Sequence, residues 1–118
     1  MSRRTERIAE QLRSEIARVL REESSDPRTR LVTLTRVDVA PDLSHAVVYW
    51  SALDVRGADS AERTQQALDT AASFVRRHLA HSLSLRRVPA LRFRYDASLV
   101  LGNETLSLLR SLADRDEK

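Results

Sequence analysis

The sequence predicts an α+β domain in which helices pack on one face of a three-stranded sheet. Two long segments repeat apolar residues at three- and four-residue spacing, which is the period of amphipathic helices. Three shorter segments are rich in Val and Thr or alternate apolar with polar residues, as strands do. The predicted order is helix, strand, strand, helix (one or two), strand, helix. Elements of both kinds in this order favour two packed layers around one core.

The first helix is predicted over residues 3–23. Its apolar stripe consists of Ile8, Leu12, Ile16, Val19 and Leu20. The polar run at residues 24–27 ends this helix, because Ser and Asp compete for backbone hydrogen bonds and Pro27 cannot continue it.

An antiparallel hairpin follows, with strands at residues 31–40 and 45–53 joined by a turn at residues 41–44. In the second strand the side chains alternate between two faces, one with Ala46, Val48 and Trp50 and the other with Val47, Tyr49 and Ser51. Residues 54–59 are predicted to form a loop.

The second long helix begins near Asp59 or Ser60 and runs to about Leu83. Glu62 lies three residues after Asp59, as in a capping box. Ser and Thr hydroxyls within residues 69–73 can bond back to the preceding turn, so this segment permits a kink.

The third strand is predicted over residues 91–96. Its apolar side chains, Leu91, Phe93 and Tyr95, alternate with Arg92, Arg94 and Asp96, and we expect the apolar set to face the core. Asn103 is typical of the cap of a last short helix. We assign residues 1–113 to one domain and residues 114–118 to a polar tail.

The composition restricts the class of protein. A chain of 118 residues is long enough for one domain with its own core. The absence of cysteine excludes disulfides and thiolate metal sites. No apolar run approaches the ~20 residues of a membrane span, and the N-terminus lacks the apolar segment of a signal peptide. We therefore expect a cytoplasmic protein without membrane contact, and a monomer, because no pattern indicates an obligate dimer.

Basic charge is concentrated in residues 74–98, which read FVRRHLAHSLSLRRVPALRFRYDAS. This block holds six arginines against the single acid Asp96, a charge of +5, whereas the whole chain carries +3. The planar guanidinium of arginine matches phosphate geometry, and a clustered basic face in an otherwise mildly acidic chain indicates a polyanion-binding protein. A solvated basic face without a ligand is the alternative.

We predict that this block contacts RNA through Arg76, Arg77, His81, Arg86, Arg87, Arg92 and Arg94. These residues lie in consecutive segments, which could form one surface. Aromatic residues make up only 4% of the chain, which disfavours a base-stacking platform and favours a structured RNA. The N-terminal Arg3, Arg4 and Arg7 either extend this surface or form a solvated helix end.

No catalytic constellation is evident. Gly57 and Gly102 are the only glycines, so a Gly-rich phosphate loop is missing, and so is a GxSxG serine nucleophile motif. His78 and His81 lie one helical turn apart but lack a third metal ligand. We expect no enzymatic activity, metal, cofactor or small-molecule substrate.

Several segments together resemble the ribosome-binding factor A family of bacterial small-subunit assembly factors. The first helix followed by Asp26-Pro27-Arg28 resembles the opening of that family. The family pattern T-x-V…D-L…A-x-V-Y is matched by Thr35, Val37, Asp42, Leu43, Ala46, Val48 and Tyr49. The family run F-I-R…L…L-R…P-x-L-x-F-x-x-D-x-S is matched by Phe74, Val75, Arg76, Leu79, Leu85, Arg86, Pro89, Leu91, Phe93, Asp96 and Ser98.

This resemblance implies a KH-like fold of order α-β-β-α-kink-α-β, with the kink at Ala71, Ala72 and Ser73, where Ser73 replaces a glycine of the family. It also implies binding to the immature 30S subunit and 16S rRNA, with help in late maturation and 5′-end processing, notably at low temperature and without catalysis. A generic structured-RNA-binding domain and a basic protein–protein adaptor are the alternatives.

Overall fold

A computed structural model describes residues 3–52 and 57–96, with the backbone alone for residues 57–59. Within these ranges the elements are α1 (Arg3–Glu22), α2 (Pro27–Arg30), β1 (Thr33–Val39), β2 (His45–Ser51), α3 (Gly57–Ser82) and β3 (Ala90–Tyr95). The predicted C-terminal helix after Asn103 and the polar tail lie outside the described residues. Every other predicted helix and strand is present, with ends shifted by three residues or fewer.

Helix α1 follows its amphipathic pattern. The whole predicted stripe is buried, and Leu12, Ile16 and Val19 are completely inaccessible to solvent. On the other face Arg18 forms ion pairs with Glu15 at 2.5 Å and with Glu22 at 3.1 Å, at the i, i+3 and i, i+4 spacings that bring side chains together on a helix.

The sequence analysis missed helix α2, because the run that ends α1 also starts a new helix. The Asp26 carboxylate accepts a hydrogen bond from the Arg28 backbone N–H at 2.9 Å, and Pro27 occupies the first turn. Both are helix-start signals. The buried Thr29 hydroxyl donates to the Ser24 hydroxyl oxygen at 2.6 Å and fixes α2 to the end of α1.

The three strands form one mixed sheet in the order β1-β2-β3. The pairing of β1 with β2 is antiparallel, as predicted, with a bulge between Leu34 and Arg36 that the sequence did not indicate. The pairing of β2 with β3 is parallel, so α3 is the crossover between them. β3 therefore lies at one edge of the sheet.

The core lies between the sheet and the two long helices. Ala46, Val48 and Trp50 of β2 share one face, as predicted, and the structure buries that face completely, where they join α1 and α3 side chains in one apolar cluster. Phe93 of β3 is also buried in it. We call the opposite side of the sheet, which carries Tyr49, the outer face.

Helix α3 begins earlier than predicted. Residues 57–59 are helical, so the predicted loop at residues 54–59 is wrong over its second half. The helix runs unbroken through Ala71, Ala72 and Ser73. The Thr70 hydroxyl donates to the Gln66 carbonyl oxygen one turn back at 2.9 Å, a bond that often bends helices. A kink at residues 71–73 remains a prediction. It would be a bend within the continuous helix α3 and not a break between two helices.

Candidate nucleic-acid interface

The six arginines of the basic block (residues 74–98) lie in three parts of the fold. Arg76 and Arg77 lie on α3, Arg86 and Arg87 lie in the link between α3 and β3, and Arg92 and Arg94 lie on β3. All six side chains are exposed. The alternation of β3 and the buried stripe of α3 require this exposure, since the apolar residues between these arginines pack into the core.

Arg76 and Arg77 line an open hollow between α3 and the link, which we call the Arg76 hollow. Its volume is about 590 Å³, and it is lined by Ser73, Arg76, Arg77, Ala80, Arg87 and Val88. The Arg76 guanidinium donates to the Val88 carbonyl oxygen, at 2.9 Å from Nη2 and 3.3 Å from Nε. This contact ties the link to α3 and leaves other guanidinium N–H groups of Arg76 available to a ligand.

A second hollow lies where the start of α1, the β1–β2 turn and the link meet, and we call it the Arg4 hollow. Its volume is about 370 Å³, and it is lined by Arg4, Ile8, Asp42, Leu43, Ser84, Leu85, Arg86 and Arg87. Arg87 therefore lines both hollows.

Among the described residues, Asp42 is the one acidic residue that lines either hollow. One of its carboxylate oxygens accepts hydrogen bonds from the Ser44 hydroxyl at 2.7 Å and from the Ser44 backbone N–H at 3.0 Å. These bonds lower the pKa of Asp42, so it is ionised at neutral pH. They hold the carboxylate to its own turn, where Leu43 has a positive φ of 62°.

Arg92 and Arg94 lie on the outer face of the sheet and line neither hollow. In the sheet register Arg92 lies beside Val47, and Arg94 lies beside Tyr49. On the other side of Tyr49, the Arg36 guanidinium lies 4.3 Å from the ring centroid and forms an ion pair with Asp38 at 3.3 Å. The predicted set of arginines is thus divided between two sides of the molecule.

The ion pairs between described residues do not include the six arginines of the basic block. They involve Arg13, Arg18, Arg28 and Arg36. None of the block's six arginines has a carboxylate partner within residues 3–52 and 57–96. Their charge is therefore not neutralised by nearby described acids, which is the electrostatic condition for binding phosphate groups.

The two histidines of α3 have different surroundings. His81 is exposed in the last turn, whereas the ring of the half-buried His78 packs edge-on against Phe74 with centroids 4.6 Å apart. Within the part of the chain that the structure describes, no three His, Asp or Glu side chains are arranged to hold a metal ion. Both histidines are therefore packed in the way that is usual for residues near the surface of a helix.

Sequence reasoning missed the pairing of Arg36 with Tyr49 and did not decide the role of Arg4. Arg36 and Tyr49 become neighbours only through the β1–β2 register, and Arg36 had no basic neighbours in the sequence to single it out. Arg4 was left with two interpretations, and the fold brings it beside Arg86 and Arg87. Their proximity depends on pairing between distant segments, which periodicity does not report.

Comparison with known proteins gives the family. The family model described as ribosome-binding factor A matches residues 4–109. This chain belongs to the ribosome-binding factor A family. Ribosome-binding factor A of Pseudomonas putida is 41% identical over 113 residues, which cover 96% of this chain and 86% of that protein. The Pseudomonas syringae pv. syringae protein is 42% identical over 116 residues, which cover 96% and 82%.

Solved structures of ribosome-binding factor A share the fold. The crystal structure of the Thermus thermophilus protein matches with a TM-score of 0.66 and 27% identity, over 77% of this chain and 94% of that one. A Thermus thermophilus homology model fitted into a cryo-EM map of a 30S complex matches with a TM-score of 0.60 and 29% identity, over 75% and 91%. The KH-like α+β fold implied by the resemblance is confirmed. None of the described helices has the length and apolar character needed to cross a bilayer.

Proposed function

We propose that this protein binds the immature 30S subunit during its assembly, contacts 16S rRNA through the arginines of the basic block, and assists late maturation, including 5′-end processing. The observation that carries the proposal is the membership of the family together with the Thermus thermophilus relative fitted into a map of a 30S complex. The arginines of α3, the link and β3, which have no carboxylate partner among the described residues, supply the charge that such a contact requires.

The mechanism is binding without catalysis by a monomer in the cytoplasm. The arginines contact phosphates and hold one conformation of the immature rRNA. A protein that binds one conformer more tightly shifts the population towards it, by no more than the difference in binding free energy between the two. This mechanism requires no cofactor, and it places the specificity in RNA shape, because phosphate contacts carry little sequence information.

A sucrose-gradient profile of a cell lysate tests this proposal. We expect the protein in the fractions of free small subunits, with little in fully assembled ribosomes. Loss of the protein should increase the fraction of 16S rRNA with an unprocessed 5′ end, most strongly at low temperature, as measured by primer extension. Protein that stays at the top of the gradient even at low salt would contradict the proposal. Partner binding that survives RNase treatment would instead indicate a basic protein–protein adaptor.

A further inference from the structure

The two hollows are adjacent because Arg87 belongs to both. One end of this shared surface is formed by Arg76 and Arg77 on α3, and the other by Arg4 at the start of α1. The surface therefore joins residues from the first and the last described parts of the chain, although they are far apart in the sequence.

The lining of the two hollows is strongly basic. Five arginines contribute to it, namely Arg4, Arg76, Arg77, Arg86 and Arg87. None of the five forms an ion pair with another described residue, and the single acid, Asp42, is held by Ser44. Several arginines in a row, without an acid between Arg77 and Arg87, suit a ligand with repeated negative charge.

The hollows also offer neutral donors and apolar contacts. Ser73 and Ser84 carry hydroxyls. The Ser73 hydroxyl makes no hydrogen bond within the described residues, in contrast to the hydroxyls of Thr70 and Ser82 in the same helix, which bond back to carbonyl oxygens. Hydroxyls, guanidinium groups and a few apolar side chains are the groups that contact the phosphates and sugars of RNA.

We infer that one RNA strand crosses both hollows, with successive phosphates held by Arg76 and Arg77, by Arg87, and by Arg86 and Arg4. This inference takes from the proposed function that the ligand is RNA. It makes Arg4 part of the interface and assigns Arg92 and Arg94, on the outer face, to a separate contact.

Binding of a short RNA hairpin, titrated at several salt concentrations, tests the strand path. Arg4→Gln and Arg87→Gln should each weaken binding about threefold to tenfold and flatten the slope of log affinity against log salt by about 0.7–0.9, the loss of one phosphate contact. Arg21→Gln is the matched control for Arg4, because Arg21 is also an exposed α1 residue without an ion pair among the described residues. It should bind as the unmodified protein does.

The strand path is overturned if Arg4→Gln binds like Arg21→Gln, or if Arg92→Gln and Arg94→Gln cause the larger losses. It is overturned as well if an acidic peptide, and not RNA, depends on Arg4 and Arg87. Failure of the unmodified protein to co-sediment with free small subunits would contradict the proposed function, whereas the hairpin titration would still decide whether RNA lies across the two hollows.

Discussion

At the scale of single residues, the Gln65 side chain joins three parts of the fold. Its amide oxygen accepts a hydrogen bond from the completely buried Trp50 indole N–H at 2.7 Å, and its amide nitrogen donates to the Phe93 carbonyl oxygen at 2.6 Å. The same nitrogen donates to the Asp69 carboxylate at 2.9 Å. Gln65 thereby links α3 to β2 and to the edge strand β3.

Gln65→Ala should destabilise the protein by about 1–3 kcal/mol, because a buried indole N–H without an acceptor keeps its full desolvation cost. Urea denaturation followed by Trp50 fluorescence measures the change. Gln66→Ala is the matched control, since Gln66 is exposed and its side chain makes no hydrogen bond within the described residues. Equal stability of the two variants would show that the indole finds another acceptor.

At the scale of elements, α2 depends on the ionised form of Asp26. Hydrogen bonds from the Arg28 guanidinium and backbone N–H lower the pKa of Asp26 below its ordinary value of 3.8. A lowered folded-state pKa stabilises the fold at pH values above the ordinary value, and this contribution is lost as the pH falls through the lowered pKa. Stability falls with falling pH because the unfolded chain, in which Asp26 has the higher pKa, binds the proton more tightly than the folded protein does.

Asp26→Ala should therefore cost about 1 kcal/mol at neutral pH, which is the usual cost of losing an N-cap. The difference from the unmodified protein should shrink well below pH 3.8. Urea denaturation at both pH values measures it, with Ser25→Ala as the control in the same exposed loop. A difference that does not change with pH would mean that the charge of Asp26 has no role.

Helix α3 makes a second prediction at this scale. Since the helix is continuous through Ser73, Ser73→Gly should cost roughly 0.5–1 kcal/mol, the penalty of glycine inside a helix. Ala80→Gly, at another exposed position of α3, gives the reference penalty in thermal denaturation. If Ser73→Gly is tolerated while Ala80→Gly is not, the helix bends sharply at Ser73 as the family resemblance implies.

The elements also show what a single sequence can and cannot predict. Alternation correctly predicted that Ala46, Val48 and Trp50 share one face of β2, because side chains alternate between the two faces of a strand, and the structure shows that this face is buried. The parallel pairing of β2 with β3 and the bulge at Thr35 leave no such local pattern. Helix α2 was missed since Asp26-Pro27 is equally a stop signal for one helix and a start signal for the next.

At the scale of the whole molecule, the charged side chains are unevenly paired. Opposite charges on α1 neutralise one another, as Arg13 does with Glu10 and Arg18 with Glu15, while the basic block has no such partners among the described residues. The basic block could be recognised from the distribution of arginines along the sequence. Its division between the hollows and the outer face was not, because that division depends on how α3 and β3 pack together.

Reversing Arg76 and Arg86 to Glu together should weaken rRNA binding. It should also flatten the salt dependence of binding, because a protein that makes fewer phosphate contacts releases fewer counterions. Fluorescence anisotropy with a 16S rRNA fragment at several salt concentrations measures both quantities. The control with the same change in charge reverses Arg21 and Arg63, which are exposed and lie outside both hollows. Equal losses of affinity in the two double variants would show that the effect comes from net charge and not from the positions of Arg76 and Arg86.

The parallel pairing of β3 with β2 also determines at what point in folding the surface of the two hollows is formed. The β1–β2 hairpin is local and can form while the rest of the chain is still being synthesised, but β3 joins the sheet only after α3 has folded back across it. Closing such a long connection is the slow part of folding. The chain loses conformational entropy when the connection closes, before the hydrogen bonds and packing of the β2–β3 pair are gained. The same step brings Arg86 and Arg87 beside Arg4. Within the described residues, completion of the sheet and assembly of the two hollows therefore coincide, and a chain without β3 in place lacks the surface that we propose to contact RNA.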